Sequence, residues 1–166
     1  NIGEKGLETK SNEKIDEIVK IANHFGVKTK YLTKGKLGDL TGSRPHQNVV
    51  LKASRLEYLN IKKISDIVDL QDETPKDSES GKFYLFLDGV TDPQNFGSIL
   101  RSAMFFGIDG VIVNKKNACG LTSAVSKVSS GALEFLPIYS VKFVKNFMEE
   151  AEKAPNNFKI ISTNIS

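Results

Sequence analysis

Two short, uninterrupted apolar runs, with a helix-like segment between them, limit the folds open to this chain more than any other feature. The first run is residues 83–87 (Phe-Tyr-Leu-Phe-Leu) and the second is residues 110–113 (Gly-Val-Ile-Val). A run of this kind is typical of a strand that is buried on both faces. Because a helical pattern lies between the two runs, the order predicts a parallel sheet with helices on its faces.

Weaker patterns extend this sheet domain. Residues 136–139 and 158–161 are predicted as a third and a fourth strand. Helices are predicted near 95–106, 121–130 and 142–153. Ligands of parallel sheets bind beyond the carboxyl ends of the strands. The loop after Leu87 and the residues Ser162, Thr163 and Asn164 are therefore expected at a binding site.

The first part of the chain is predicted as a smaller α/β layer. A helix is expected near 13–25, with Asn12 as its N-cap and Gly26 as the left-handed residue that ends it. Strands are expected at 27–31, where apolar residues alternate with lysines, and at 48–53. A polar, glycine-containing loop separates these two strands.

A segment without apolar side chains predicts the domain boundary. Residues 71–81 carry Pro, Gly, Ser and acidic residues, which is the composition of a linker. We therefore divide the chain into an accessory domain at 1–70, a linker at 71–81 and a second domain at 82–166.

Composition excludes some classes of protein and weakly favours one partner. No run of 18 apolar residues is present, so we expect no membrane-spanning helix, and the single cysteine, Cys119, gives neither a disulfide nor a metal cluster. The net charge is +3, and residues 1–70 hold 13 Lys and Arg against 9 Asp and Glu. This distribution is compatible with phosphate contacts in the first domain and equally with a solvated lysine-rich surface.

The segment from Leu87 to residue 106 runs from strand through turn to helix and carries the candidate chemistry. On a helical wheel, one arc of 95–106 is apolar and the opposite arc holds Asn95, Ser98, Arg101 and Ser102. Gly97 costs about 1 kcal/mol in a helix relative to alanine, which indicates a close approach of another segment. Neither a G-x-G-x-x-G nor a Walker A motif is present, so a dinucleotide site is not supported.

Three motifs resemble those of a known family. Residues 88–97 (Asp-Gly-Val-Thr-Asp-Pro-Gln-Asn-Phe-Gly), followed by Arg101, resemble the first motif of the SPOUT-class, TrmH-type RNA 2′-O-ribose methyltransferases. Residues 127–134 (Lys-Val-Ser-Ser-Gly-Ala-Leu-Glu) resemble that family's Lys-Val-x-x-Gly-Ala-x-Glu stretch. Residues 46–50 (His-Gln-Asn-Val-Val) resemble the His-Gln-Gly-hydrophobic segment of its accessory domain. The chain is most similar to enzymes that methylate a guanosine ribose in large-subunit ribosomal RNA, in bacteria or in fungal mitochondria.

The resemblance implies an α/β fold with a partial L30e-like RNA-binding domain, then a SPOUT parallel-sheet methyltransferase domain without its C-terminal knot segment. It implies S-adenosylmethionine as methyl donor, ribosomal RNA as partner, a homodimer, and neither a metal nor a membrane. Asn95 and Arg101 are the expected catalytic residues. The other expected contacts are Ser162, Thr163 and Asn164 with the cofactor, and Arg44, His46, Gln47 and Lys127 with RNA; Arg44 rests on charge and loop position alone.

Two departures from the family pattern stand out. Asn48 occupies the position of the family's glycine, which affects the local turn. The family's Gly-x-Glu-Gly and Ser-Leu-Asn-Val-Ser motifs, and an opening strand and helix, have no counterpart between residues 1 and 166. We therefore expect that both ends have been cut and that this chain alone binds S-adenosylmethionine weakly or not at all.

A guanidinium does not deprotonate in proteins, so Arg101 is expected to stabilise the phosphate or the developing 2′-oxyanion rather than to act as a base. Two alternatives remain: the same chemistry on transfer RNA, or a non-catalytic RNA-binding protein that retains the fold. The Lys-, Asn-, Ile- and Ser-rich composition favours a mitochondrial matrix protein from an AT-rich genome, with a bacterial cytoplasmic protein as the alternative.

Overall fold

The computed structural model describes residues 11–70, 81–153 and 155–163. The chain folds as two compact units, Asn1–Ser54 and Arg55–Ser166. The elements in chain order are α1 (Ser11–His24), α2 (Lys34–Leu40), β1 (Leu59–Ile61), α3 (Ser65–Leu70), β2 (Tyr84–Leu87), α4 (Pro93–Phe105), β3 (Gly110–Asn114), a 3-10 turn (Lys115–Asn117), α5 (Ser123–Val128), α6 (Ala132–Phe135), β4 (Ile138–Val141) and α7 (Val144–Glu152).

The second unit is built on a four-stranded sheet in the order β1-β4-β3-β2. All three strand pairs are parallel, which confirms the predicted sheet type. The carboxyl ends are in register: Leu87 aligns with Val113, and Asn114 and Ile61 both align with Val141. All four strands therefore end at one edge, the carboxyl edge.

Apolar side chains cover both faces of the sheet. On one face, Phe96 and Leu100 of α4 pack with Val111 and Val113 of β3 and with α5 and α6. On the other face, β4 and Ile112 of β3 pack with α3 and with Phe147 of α7. Val111 and Val113 lie on one face and Ile112 on the other, because successive strand residues point to opposite faces. The sheet is therefore covered by helices on both faces, as predicted.

β2 is less buried than its apolar sequence predicts. All four of its residues are half-buried, and the preceding Phe83 is 63% exposed. β3, in contrast, has four buried residues and lies between two neighbours. The difference arises because β2 lies at the end of the strand order, where one side has no neighbouring strand among the described residues.

The fourth strand is not the one predicted. Residues 158–161 form no strand, and Ile161 is 76% exposed. The amide nitrogen of Phe158 donates to the carbonyl of Ala151 at 2.9 Å, which holds the start of this segment against the end of α7. The fourth strand is β1 instead, a three-residue element too short to stand out in the sequence.

β1 also places the domain boundary earlier than the linker composition indicates. Ile61, Ile64 and Ile67 are buried on the sheet face that packs against α7. The Tyr58 hydroxyl donates a hydrogen bond to the carbonyl of Cys119. Residues 55–70 therefore pack with the second unit, whereas the sequence assigned them to the first domain. The predicted linker at 71–81 lies almost wholly outside the described residues.

The first unit has loop segments where its two strands were expected. The predicted strands at 27–31 and 48–53 are wrong, because within the described residues neither range pairs with another strand. The loop between them holds α2, whose N-cap is Thr33. Asn12 lies inside α1 rather than at its cap, while Gly26 has the predicted left-handed conformation, with φ at +68°.

Candidate functional site

The turn between β2 and α4 forms the centre of the candidate site. It begins at Asp88, whose carboxylate accepts a hydrogen bond from the Asn114 side-chain amide at 2.9 Å. The turn passes through Gly89, which has a φ of +75°, a conformation that favours glycine. Asp92 then caps α4 by accepting from the backbone nitrogen of Asn95 at 2.9 Å, and Pro93 is the first helical residue. This capping pair was missed, although Asp-Pro before an amphipathic stretch is a known helix-start signal.

A shallow cleft of about 460 Å³ lies against this turn and is open to solvent. It is lined by Gly89, Val90, Thr91, Asp92, Asn95, Ser98 and Ile99. Of the two residues expected to be catalytic, Asn95 lines the cleft and Arg101 does not. Arg101 lies further along the same helix, about 9 Å from Asn95 along the axis at 1.5 Å per residue.

The exposed face of α4 carries two side chains that are free to bind a ligand. The hydroxyls of Ser98 and Ser102 donate to helix carbonyls four residues earlier, at 2.8 and 3.1 Å. Asn95 and Arg101 are exposed, and within the described ranges neither side chain makes a hydrogen bond or an ion pair. The wheel prediction is confirmed for the polar arc, which is exposed, and for Phe96, Leu100 and Ala103, which are buried. It is wrong for Phe106, the last residue of the predicted apolar arc, which is the C-cap beyond the helix and is 76% exposed.

Gly97 has the close neighbour that its position predicted. A Cβ added there would lie 2.7 Å from Cβ of Val128 and 3.1 Å from the carbonyl oxygen of Val125. Both contacts come from α5, so the absence of a side chain at 97 lets α5 pack directly on α4. The spacing between these two helices is therefore fixed by this glycine.

The Lys-Val-x-x-Gly-Ala-x-Glu stretch forms the corner between α5 and α6. Gly131 has a φ of +92° at the corner, and the hydroxyl of Ser129, which is 1% exposed, accepts from the amide of Leu133 at 3.2 Å. The Ser126 hydroxyl donates to the Glu134 carboxylate at 2.5 Å. Lys127, a predicted RNA contact, is exposed on α5. The geometry thus gives Glu134 a role in holding the corner.

Cys119 is 4% exposed and belongs to the core cluster of α4 and β3. Burial raises the pKa of its thiol, and the negative charge of Asp92 raises that pKa further. A thiol with a raised pKa remains protonated at neutral pH and is a poor nucleophile. Cys119 is therefore a core residue, as its isolation in the sequence predicts.

In the first unit, two of the predicted RNA contacts lie at one cleft of about 540 Å³. Its lining includes Lys34, Arg44 and His46, together with two glycines. The His46 ring is held by a hydrogen bond from the Asn48 amide to Nδ1 at 3.2 Å. Gln47 is exposed and does not line this cleft. Arg44 and His46 thus line the same cleft, and their contact with RNA stays a prediction.

The geometry at Asn48 explains its departure from the family glycine. Its φ is +60°, the left-handed region, where glycine has no steric cost and asparagine is the most tolerated alternative. We expect Asn48→Gly to leave stability nearly unchanged and Asn48→Val to cost about 1–2 kcal/mol, because a β-branched residue clashes there. Urea denaturation of the two variants would measure the difference. Equal stability would show that residue 48 is not held in the left-handed region.

The expected cofactor residues that the structure describes lie apart from the linings of the two clefts. Ser162 and Thr163 are exposed in a coil and line neither cleft, and Asn164 lies outside the described residues. Within those residues no helix is both long and apolar enough to cross a bilayer, and no group of three or more His, Cys, Asp or Glu residues could hold a metal.

Comparison with known proteins gives the family. Residues 82–166 match the family model of the SpoU rRNA methylases, and residues 6–59 match the model of the RNA 2′-O ribose methyltransferase substrate-binding domain. The chain belongs to the SpoU rRNA methylase family. The first match begins just before β2 and covers α4 with Asn95 and Arg101. The second covers the cleft with Arg44 and His46, which confirms that a substrate-binding domain precedes the methylase domain.

Curated relatives come from mitochondria and from bacteria. The mitochondrial rRNA methyltransferase 1 of Schizosaccharomyces pombe is 36% identical over 75% of this chain and 46% of its own length. The 23S rRNA (guanosine-2′-O-)-methyltransferase RlmB of Shewanella oneidensis is 33% identical over 89% of this chain and 56% of its own length. The chain thus spans about half the length of these relatives.

A solved structure supports the fold. The crystal structure of an AdoMet-bound rRNA methyltransferase from Sinorhizobium meliloti matches with a TM-score of 0.54 at 19% identity. The match covers 81% of this chain and 48% of that one. At this level of identity the match shows a common fold.

Proposed function

We propose that this chain carries the substrate-binding and catalytic residues of an RNA 2′-O-ribose methyltransferase. One observation carries the proposal: Asn95 lines a cleft at the carboxyl edge, and both Asn95 and Arg101 are exposed on the helix that follows β2, with no side-chain partner among the described residues. Side chains without internal partners at that edge are available to a ligand. The family membership given above supports methyl transfer to RNA as the reaction.

Arg101 is proposed to bind the phosphate or the ribose 2′-oxygen as negative charge develops on it. A 2′-hydroxyl is a poor nucleophile, so it must be aligned with the methyl group and must lose its proton. The guanidinium offers several fixed donors and keeps its charge, which suits stabilisation of an oxyanion. A carboxylate or a water molecule would accept the proton.

Asn95 is proposed to position the ribose. It lines the cleft, and its helical turn is fixed by the Asp92 cap and by Pro93. The helix rise places it about 9 Å from Arg101, which favours separate contacts with the substrate over a direct pairing of the two side chains. Ser98, between them, lines the same cleft.

S-adenosylmethionine is proposed as the methyl donor, which supplies an electrophilic methyl group on a sulfonium. The family membership supports this proposal. The cleft beside α4 is open, and Ser162 and Thr163 lie outside its lining. Ligand sites bury most of a ligand of that size. The roles proposed for Asn95 and Arg101 therefore concern their contacts with RNA.

The substrate is proposed to be a guanosine ribose in large-subunit ribosomal RNA. The names of the relatives from Schizosaccharomyces pombe and Shewanella oneidensis support this choice, as does the substrate-binding domain. Transfer RNA is the second candidate, because a Bacillus subtilis relative is named as a TrmH family tRNA/rRNA methyltransferase. A non-catalytic RNA-binding protein is the third candidate. The presence of both Asn95 and Arg101, the two residues expected to be catalytic, argues against it.

The assembly and the compartment are also proposals. The exposed aromatic rings of Phe105 and Phe106 at the end of α4 support a homodimer, which sedimentation of the full-length protein would test. Mitochondrial relatives from three organisms support the mitochondrial matrix, and the bacterial relatives support a bacterial cytoplasm as the alternative. Imaging of a tagged protein in its source cell would decide between them.

The direct test is transfer of a labelled methyl group from S-adenosylmethionine to RNA by the full-length protein. We expect label in large-subunit ribosomal RNA, at a position that resists alkaline cleavage, because a 2′-O-methyl group removes the nucleophile of that cleavage. Unmodified transfer RNA is the parallel substrate. Label in transfer RNA alone would replace the ribosomal assignment, and RNA binding without transfer to either would favour the non-catalytic alternative.

A further inference from the structure

We propose that five lysines at the carboxyl edge of the sheet form a second RNA-binding surface, which contacts backbone phosphates. These residues, here called the basic edge, are Lys62, Lys63, Lys115, Lys116 and Lys142. The proposal rests on the proposed function, because it takes RNA as the partner. The basic edge lies on the second unit, outside the three family motifs, and is a further surface besides the cleft of the first unit.

The strand register places the basic edge in one row. Ile61, Val141 and Asn114 align across β1, β4 and β3, which are neighbours in the sheet. Lys62, Lys142 and Lys115 are the next residues of the three strands. Because neighbouring strands lie about 4.8 Å apart, three lysines follow one another along the edge. Lys63 and Lys116 come directly after two of them and double the charge at those ends.

None of the five lysines forms an ion pair within residues 11–70, 81–153 and 155–163. All five are exposed. The Lys115 ammonium donates to the side-chain oxygen of Asn60 at 2.6 Å, and that oxygen also accepts from Ser140 at 3.0 Å. An amide oxygen is neutral, so this network positions the ammonium without neutralising it.

Three carboxylates near the basic edge are engaged by amide groups: Asp88 by the side-chain amide of Asn114, and Asp66 and Glu150 by backbone amides. Asp66 accepts from the amides of Lys62 and Lys63 at 2.8 and 3.2 Å, and Glu150 accepts from the amide of Ile64 at 2.9 Å. They offset part of the local charge and form no ion pair with the lysine ammonium groups. The edge therefore retains an excess of positive charge.

An exposed aromatic ring on the same edge favours single-stranded RNA over other polyanions. Phe143 is 65% exposed, and the Lys142 ammonium lies 5.3 Å from the centre of its ring. Proteins that bind single-stranded nucleic acid combine a basic groove with aromatic rings on which bases stack. The edge is also continuous with the candidate site, because Asn114, next to Lys115, contacts Asp88 in the β2–α4 turn.

The test is RNA binding by the full-length protein in which Lys62, Lys115 and Lys142 are replaced together by Gln. The probe is a fluorescein-labelled single-stranded RNA of mixed sequence, followed by anisotropy at several salt concentrations. If three phosphate contacts are lost, the slope of log affinity against log salt should fall by about 2. The advantage of the wild type should then shrink about 20-fold between about 50 and 200 mM salt.

Two control variants isolate the position of the charge. Replacing Lys82, Lys153 and Lys159 by Gln makes the same change in net charge away from the carboxyl edge and should leave the slope nearly unchanged. Replacing Lys62, Lys115 and Lys142 by Arg keeps the charge and should preserve binding, which separates lost contacts from a lost fold.

The remaining outcomes each overturn the proposal. If the wild type binds RNA and the Lys62, Lys115 and Lys142 Gln variant has the same slope, the basic edge does not bind RNA, and the proposed function is unaffected. A wild type that binds no RNA would remove both. If the Gln variant bound RNA like the wild type but no longer bound phosphatidylserine vesicles, the basic edge would be a membrane-binding surface.

Discussion

Replacing Arg101 by Ala is expected to lower kcat for methyl transfer by about 10²–10³-fold, the usual cost of removing a donor that stabilises an oxyanion. The side chain is exposed and makes no internal hydrogen bond in the described residues, so its removal should leave the fold unchanged. Transfer of labelled methyl groups to large-subunit ribosomal RNA by the full-length protein would measure the loss, with thermal unfolding as the check on folding.

Arg101→Lys is the matched control. Lysine keeps the positive charge and loses the planar, multidentate donor set of the guanidinium. Activity near the wild-type level in Arg101→Lys would assign the role to charge alone, and activity near that of Arg101→Ala would assign it to donor geometry. Unchanged transfer by Arg101→Ala would contradict the catalytic assignment of this residue.

Gly97→Val is expected to cause the largest loss of stability, at about 3 kcal/mol, the upper end of the range for overpacked cores. Even a single Cβ at this position would lie 2.7 Å from Val128, so α4 and α5 would have to separate. Helix propensity works in the opposite direction, since glycine costs about 1 kcal/mol relative to alanine. The steric term should prevail, because the neighbouring atoms include the carbonyl oxygen of Val125. Urea denaturation would measure the change in the free energy of unfolding.

Ser98→Val introduces the same side chain on the exposed face of the same turn and serves as the stability control. It should change the free energy of unfolding by no more than about 0.5 kcal/mol, as exposed substitutions do. A comparable loss in both variants would mean that valine disfavours this helix in general, and that the contact with α5 is not what requires glycine at 97.

The sequence correctly predicted the features for which the apolar pattern has the same period as the helix or strand that buries it. The arcs of α4, the buried strand β3 and the left-handed Gly26 were all predicted from the sequence. The same holds for the close neighbour of Gly97, because glycine weakens a helix and is usually kept there where another segment packs against it. In each case the signal lies within a few residues of the feature.

Pairing between distant segments was the main source of error. Residues 158–161 and 59–61 are both short and partly apolar, and only the second finds a strand to pair with. Nothing in either segment encodes that difference, because backbone groups are satisfied by whichever strand lies alongside. The error at β1 also affected the domain boundary and the charge count of each domain. Lys62 and Lys63 were counted with the first domain, whereas they directly follow β1 of the sheet.

The sequence by itself determined the family motifs, the parallel α/β class and the exposed helix face with Asn95 and Arg101, since these depend on residue identity and helical or strand periodicity. Only the tertiary structure decided that β1 joins β4 and that five lysines from three loops meet at one edge. The physical reason is that parallel strands bring their carboxyl ends together whatever their separation in the chain. A surface made in this way has no local signature.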